Sequence, residues 1–516
     1  MDVYVRFAGK AVLCGALLST VSSLQAAGFD MPQYGVREMG VAYGGSAAML
    51  EDASAIAYNP AGLMRLHGRN VTGGATLLLS RFDYDVTAHR ERRPLVGGEV
   101  PGNGEDRIRG TAVVPQLYYS TRLSENSAVG IGLYVPVGSA TEYRNDWVGR
   151  YHATTTEITA INLSPAFAWQ ASSQVSLGVA AVVQYFQGTF ENRIDVGYLV
   201  ADELIDTIEE EAPNFFTGAD GERDKRDLVN NLAHNHDVDN RIEADSIAYG
   251  LNLGLLWQPS DNTRVGLQYN TPVRHFGEGK AQRPQLDDPA YQAGIEAAIC
   301  DNAPRLLDCA NPDEDRAREG AEKAVGPLGA EGGEIAVDFM VPQKLTLSLF
   351  HQKNRWLALT GGVAWTNWGQ VKEVRFTQPD GSSRGGSDLT DSGDDVRRRD
   401  LVQPFDWEDT FRLGLGAVIT PEGAWSYRFG VSFDQSPVPD EARRTPRGPD
   451  SDRVIGALGL SYSPWQNLAL DLGYTFSYFT DSGVNSVENP AGTDHRLEGR
   501  IRGHLHSLAA QASFQF

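Results

Sequence analysis

Residues 468–476 read LALDLGYTF, and their alternation decides the fold. Leu468, Leu470, Leu472, Tyr474 and Phe476 fall on one side; Ala469, Asp471, Gly473 and Thr475 fall on the other. Successive side chains of a strand point to opposite faces, so a period of two is the strand signal. The end of the chain repeats it, with Leu508, Ala510, Ala512, Phe514 and Phe516 opposing Ser507, Ala509, Gln511, Ser513 and Gln515. FRLGLGAVI, from Phe411, does the same.

Working outward from these, about fourteen such segments follow one another between residues 70 and 516, most of ten residues or more. LSENSA, QASSQV, QPSDNT, FHQKNRW and SPWQNL join neighbours tightly, and long loops alternate with them. Long strands, short turns on one side and an apolar outward face describe an outer-membrane β-barrel. A soluble sandwich or propeller, the rival, uses strands of about five or six residues. Tyr118, Tyr119, Tyr143, Trp147, Tyr151, Trp365, Trp368, Trp425 and Trp465 lie near strand ends, where interfacial aromatic girdles are expected. The fold class is therefore all-β, a fourteen-stranded antiparallel transmembrane barrel placed in the outer membrane of a Gram-negative bacterium.

Composition sets the bounds. The chain has 516 residues and a formal charge of −22, which argues against nucleic acid, whose phosphates need Lys and Arg. Residues 1–26 have the secretory layout: Arg6 and Lys10, a short apolar run, then small residues before a cleavage site near Ala26. Cys14 invites a lipid anchor, but Leu13 stands where a small residue is needed. Cys300 and Cys309 are then left; in an exported chain they most simply form one disulfide, the rival being a metal pair that lacks further ligands nearby. No run of about 18 apolar residues marks a helical membrane span.

Three insertions interrupt the strands. Residues 198–240 and 281–334 contain helix-like stretches, and residues 377–403 are rich in Gly, Ser and Asp. Leu199, Leu204, Ile205 and Ile208 at helical spacing form either an ordinary decorated loop or an apolar landing surface outside the cell. His504 and His506 are read as a lumen or rim pair rather than a metal site, and no metal or other cofactor is expected. The chain lacks the G-x-S-x-G, H-E-x-x-H and P-loop patterns, which argues against an enzyme; an outer-membrane lipid-modifying enzyme is the alternative of another class.

Before the first strand, residues 27–68 are rich in small residues around DASAIAYNPAGL, Asp52 to Leu63, with Asn59 placed to cap and Pro60 to begin a helix. A compact plug too small to fold alone suits this position. AGFDMPQYGVREMGVAYGGSAAMLEDASAIAYNPAGL resembles the amino-terminal hatch of the FadL family of outer-membrane long-chain fatty acid transporters, including Asn59, Pro60 and Ala61. The resemblance continues through VPVGSATEYRNDWVGRYHATTTEITAINLSPAFAW, KLTLSLFHQKNRWLALTGGVAWTNWGQVKEVRF and WEDTFRLGLGAVI, and is weakest in the three insertions.

The resemblance implies residues 69–516 forming the barrel, the hatch in its lumen, and passive uptake of long-chain fatty acids or other hydrophobic compounds. It also implies lateral exit into outer-membrane lipid at a kinked third strand, where Pro136 lacks a ladder N–H; a harmless bulge is the alternative. Arg193 falls near the position of a head-group cation, or else pairs with a carboxylate such as Glu191. Gln403 stands where a second cation is expected, a departure that favours aromatic or alkane hydrocarbons. Phe29 enters the pocket or packs within the hatch, and Asp434 faces the lumen and holds the hatch. The barrel is expected to act as a monomer.

Overall fold

The computed structural model describes residues 28–90, 99–211, 214, 216–302, 334–377, 401–488 and 495–516. The signal segment and Cys309 lie outside them, as does most of the loop at 377–403.

One antiparallel sheet holds every strand segment, and it closes on itself. The strands are β1 (Arg69–Arg90), β2 (Glu105–Ser124), β3 (Ser127–Glu142), β4 (Thr155–Gln170), β5 (Val175–Asp195) and β6 (Asp237–Ser260). Four broken strands follow: β7 (Thr263–Asn270 and Val273–Gln282), β8 (Glu334–Val341 and Lys344–Asn354), β9 (Leu357–Thr366 and Glu373–Thr377) and β10 (Leu401–Pro404 and Thr410–Ile419). The last are β11 (Trp425–Asp434), β12 (Arg453–Trp465), β13 (Leu468–Glu488) and β14 (His495–Gln515). With the broken halves joined, the barrel has 14 strands. β1 zips to β14 from Asn70↔Gln515 to Arg90↔His495, so the first and last strands seal each other.

The burial pattern is inside out. Leu413, Leu415 and Leu472 are 55–67% exposed, whereas Ser461, Thr475, Ser477 and Gln511 are buried. Such an apolar exterior is stable only against hydrocarbon. Among the described residues no helix is long and apolar enough to cross a membrane, so crossing falls to the strands.

The breaks in β7 to β10 depart from the continuous strands expected. Pro272, Pro342 and Pro404 stand in or beside three of them, each lacking a ladder donor. At the fourth, a short 3₁₀ turn, Trp368–Gln370, carries the chain inward.

Beyond the rim, α-helices Val196–Glu211, Gly218–Leu232 and Pro289–Asn302 pack their apolar sides together. Leu204 and Ile205 are buried in that cluster, with Leu199 and Ile208 against it. The landing surface read from these residues is thus used up in helix packing. Arg150 and Tyr151 hold the start of β6, just after these first two helices, by hydrogen bonds of 2.7 Å each to Asp237. Cys300, in the last of these helices, is disulfide-bonded.

Candidate functional site

Residues 28–66 lie against the inward-facing side chains of the barrel. Their helices are short, Val36–Gly40 and Ala55–Tyr58, followed by a 3₁₀ helix, Pro60–Arg65. Asn59 caps that turn by accepting from Ala61 N–H at 3.1 Å, while its amide donates to Ala47 and Leu255 carbonyls at 2.8 and 3.0 Å. The wall opposite has no side chains in the way. Gly178 of β5 and Gly254 of β6 pair in register, and a Cβ on either would strike the Asn59–Ala61 backbone or side chain. Gly266, Gly414 and Gly430 give the same close approach to Ala47, Gly44 and Val41.

Charges complete the docking. Arg37 reaches Asp471 at 3.0 Å and Asp52 at 3.5 Å, and Arg428 holds Glu51 at 2.7 Å. The segment stores strain in return, with Ala42, Tyr43 and Leu50 at φ of 49°, 62° and 49°.

Phe29, at the tip of this segment, is 2% exposed. Its ring sits among Phe339, Trp368, Phe405 and Trp407, with centroids 5.0–6.3 Å away. Those four rings come from beside or between the halves of β8, β9 and β10, so the strand breaks build the box. Phe186 of β5 stacks on Phe339 at 4.7 Å and extends the apolar wall. Gly28 N–H is anchored by Asp450 at 3.0 Å; burial pushes that carboxyl up to about 7, against the pull of Arg453.

Beside the box stands a row of charges. Arg412, Asp434 and Arg453 are in register across β10, β11 and β12. Arg453 donates to Asp434 at 2.6 Å, and Arg412 lies 3.8 Å from it. Asp30, the neighbour of Phe29, takes Lys344 of β8 at 2.6 Å and Arg412 at 3.6 Å. Arg412 thus stands between Asp434 and Asp30 of the N-terminal segment.

The third strand departs from its neighbour. β2 and β3 pair only from Ser124↔Ser127 to Leu117↔Leu133, although β2 keeps pairing with β1 as far as Asp85↔Glu105. β3 bulges against β4 between Tyr134 and Val137, and its next residues are buried on both faces. Around Pro136 the edge of β3 is instead met by residues 29–31: Met31 N–H donates to Pro136 O at 2.9 Å and Gly138 N–H to Phe29 O at 3.2 Å. Pro136 thus lacks its donor on an edge with no ladder partner in the barrel. A Pro136→Thr chain regains an N–H facing Met31 and ties the hatch more tightly, by about 1 kcal/mol. Its uptake of labelled substrate is expected to slow roughly fivefold, as time-resolved whole-cell uptake would measure; uptake at the normal rate would separate this contact from transport.

Arg193 is not brought to this site. On β5 the even-numbered residues, Phe186 and Phe190 among them, face the lumen, and Arg193 has the other parity. It pairs outside with Asp239 at 3.1 Å; Glu191 pairs with Arg241 instead. Lys344 and Arg412 are the lumen cations the sequence reading missed. The signal was present, since Lys344, Thr346 and Ser348 alternate with Leu345, Leu347 and Leu349. Gln403 pairs backbone with Val374. His504 and His506 face outward rather than into the lumen, His506 sharing a 2.8 Å hydrogen bond with Tyr474.

Residues 16–516 match the family model for outer membrane protein transport proteins (OMPP1/FadL/TodX). The chain is 25% identical to a putative outer membrane protein of Neisseria meningitidis serogroup B, covering 98% of each. It is 22% identical to a long-chain fatty acid transport protein of Escherichia coli O6:H1, covering 95% of this chain and 96% of that one. Among solved structures it resembles a Pseudomonas aeruginosa FadL homologue (TM-score 0.74, 21% identity, 95% and 100% covered). It also resembles the toluene transporter TodX of Pseudomonas putida (TM-score 0.56, 17% identity, 94% and 99% covered). The inside-out barrel and the match along nearly its whole length place this chain in the OMPP1/FadL/TodX family of outer-membrane transport proteins, which are not enzymes.

Proposed function

We propose that the barrel takes up long-chain fatty acids, with the hatch tip holding their place until they arrive. The observation that carries this reading is the pairing of Phe29 in an aromatic box with Asp30 on Lys344 and Arg412. An apolar group next to a carboxylate is the chemistry of a fatty acid near its head. An incoming acid displaces Phe29 from the box and sets its carboxylate on the cations that Asp30 leaves. Release of Phe29 and Met31 from β3 then frees the edge at Pro136, and the substrate leaves sideways into lipid. The transport name of the Escherichia coli relative agrees with this. A closed sheet needs no second copy, which supports a monomer working in outer-membrane lipid.

A second reading, aromatic hydrocarbons, is favoured by the box itself, whose present guest is a phenyl ring, and by the toluene transporter among the similar structures. One substitution separates the two. Lys344→Met is expected to weaken oleate binding to the purified barrel about tenfold, the worth of one charge-assisted hydrogen bond, and to leave toluene binding unchanged. Titration by calorimetry reads both. Equal loss for the two ligands removes the head-group role and leaves the hydrocarbon reading.

A further inference from the structure

The outward face of β14, β1 and β2 changes character at one level. Along the in-register rows, Phe514–Val71–Tyr119 begins an apolar band that continues through Leu508–Leu77–Val113 and His506–Leu79–Thr111. The next two rows are His504–Arg81–Arg109 and Arg502–Asp83–Arg107. Arg109 lies about ten residues from Tyr119; at ~3.4 Å per residue and a tilt of about 40° that is about 26 Å along the membrane normal. The arginines therefore stand at the far rim of a band as tall as the hydrocarbon core, on the side of the long loops. In an outer-membrane barrel that side is the extracellular leaflet.

These two rows carry four arginines and one carboxylate, and the row beyond them, Arg500–Asp85–Glu105, adds one arginine and two carboxylates, so cations outnumber anions by two. Asp83 takes Arg107 at 2.6 Å and Arg81 at 3.1 Å. Arg109 and Arg502 are exposed and make no ion pair or hydrogen bond with a described residue. Arg109 also stands directly opposite Arg81 in the ladder, a like-charge pairing that costs stability unless an anion lies between. All of this occurs on a chain of formal charge −22. The Arg109 and Arg502 side chains face away from the lumen, where lipid head groups around the barrel can supply the counter-charge that the protein does not.

We infer that this patch binds the phosphorylated head group of an outer-leaflet glycolipid, with Arg81 and Arg109 sharing one phosphate. A phosphate offers the charge and the fork-matching oxygens that two adjacent guanidinium groups need. A single carboxylate, such as that of a departing fatty acid, carries one charge against an excess of two. The inference stands on the outer surface and does not depend on what the lumen carries.

The test uses the full barrel, purified in nonionic detergent and titrated with bisphosphorylated lipid A or its dephosphorylated form, with native mass spectrometry counting bound lipid. Wild-type protein is expected to hold the bisphosphorylated lipid and lose it when the phosphates are removed. The Arg81→Gln/Arg109→Gln pair should weaken binding about a hundredfold, while Arg355→Gln, on a turn at the opposite rim, should bind like wild type. Heat-modified migration on a gel checks that the double variant is folded; should it fail to fold, the wild-type comparison of the two lipids still decides. Equal affinity for both lipids, full binding by the folded double variant, or displacement of the glycolipid by oleate would each overturn the assignment.

Discussion

Replacing Gly254 with valine is expected to drive the hatch from the wall and turn the plugged barrel into an open pore. The new side chain would occupy the place of Asn59 Oδ1 and lie 3.0 Å from Pro60 Cδ at its Cβ alone. Asn59 has nowhere to go, because its amide is held by Ala47 and Leu255 and its oxygen by Ala61. Gly178, across the ladder from Gly254, leaves as little room on the other side. Overpacking of this kind costs roughly 3 kcal/mol, enough to raise the undocked fraction about a hundredfold. The ladder and the outer face are untouched, so the barrel itself should still insert. Planar-bilayer recordings should then show steady ion conductance where wild type shows almost none. Gly456→Val is the control, since a Cβ there meets nothing within 4 Å. A tight Gly254→Val barrel would mean the hatch is held by something other than this contact.

The second large effect concerns Phe29. Truncation to alanine removes a fully packed ring from four aromatic neighbours, a loss of roughly 3–5 kcal/mol from the docked hatch tip. A side chain that merely lines a pocket should weaken ligand binding when cut back. A side chain that occupies the substrate's place should strengthen it. Phe29→Ala is therefore expected to bind oleate at least about tenfold more tightly, since even a part of that energy no longer opposes the ligand. The fluorescence of Trp368 and Trp407, which face the box, reports the titration. Weaker binding would make Phe29 a wall residue and end the displacement mechanism.

Much of the architecture was legible because alternation is a local signal. Leu468 to Phe476 could be read without knowing what lay beside it, and so could the tight turns. The breaks in β7 to β10 were not read, although Pro272, Pro342 and Pro404 marked three of them. A proline in a strand pattern says that a donor is missing, not which way the chain bends around it. Arg193 misled for a different reason: it was placed by analogy of position, whereas its parity on β5 already sent it outward. Asp30 lies 314 residues from Lys344, and no period or spacing predicts such a contact. It depends on closure, which brings distant strands around one short segment. The Asn59–Pro60–Ala61 turn was visible, but not its seat, because a glycine in a strand does not reveal what approaches it.

That seat carries an implication for biogenesis. The hatch leans on β5 and β6 through Gly178 and Gly254, and on β10 and β11 through Gly414 and Gly430, strands from opposite halves of the polypeptide. The seam joining first strand to last runs unbroken from Asn70↔Gln515 to Arg90↔His495. A segment wedged this closely against backbone on several sides cannot slip in once that seam is zipped. Residues 28–66 are therefore expected to be enclosed while the sheet is still a curved, unsealed ribbon, with the joining of first strand to last as the final step of assembly.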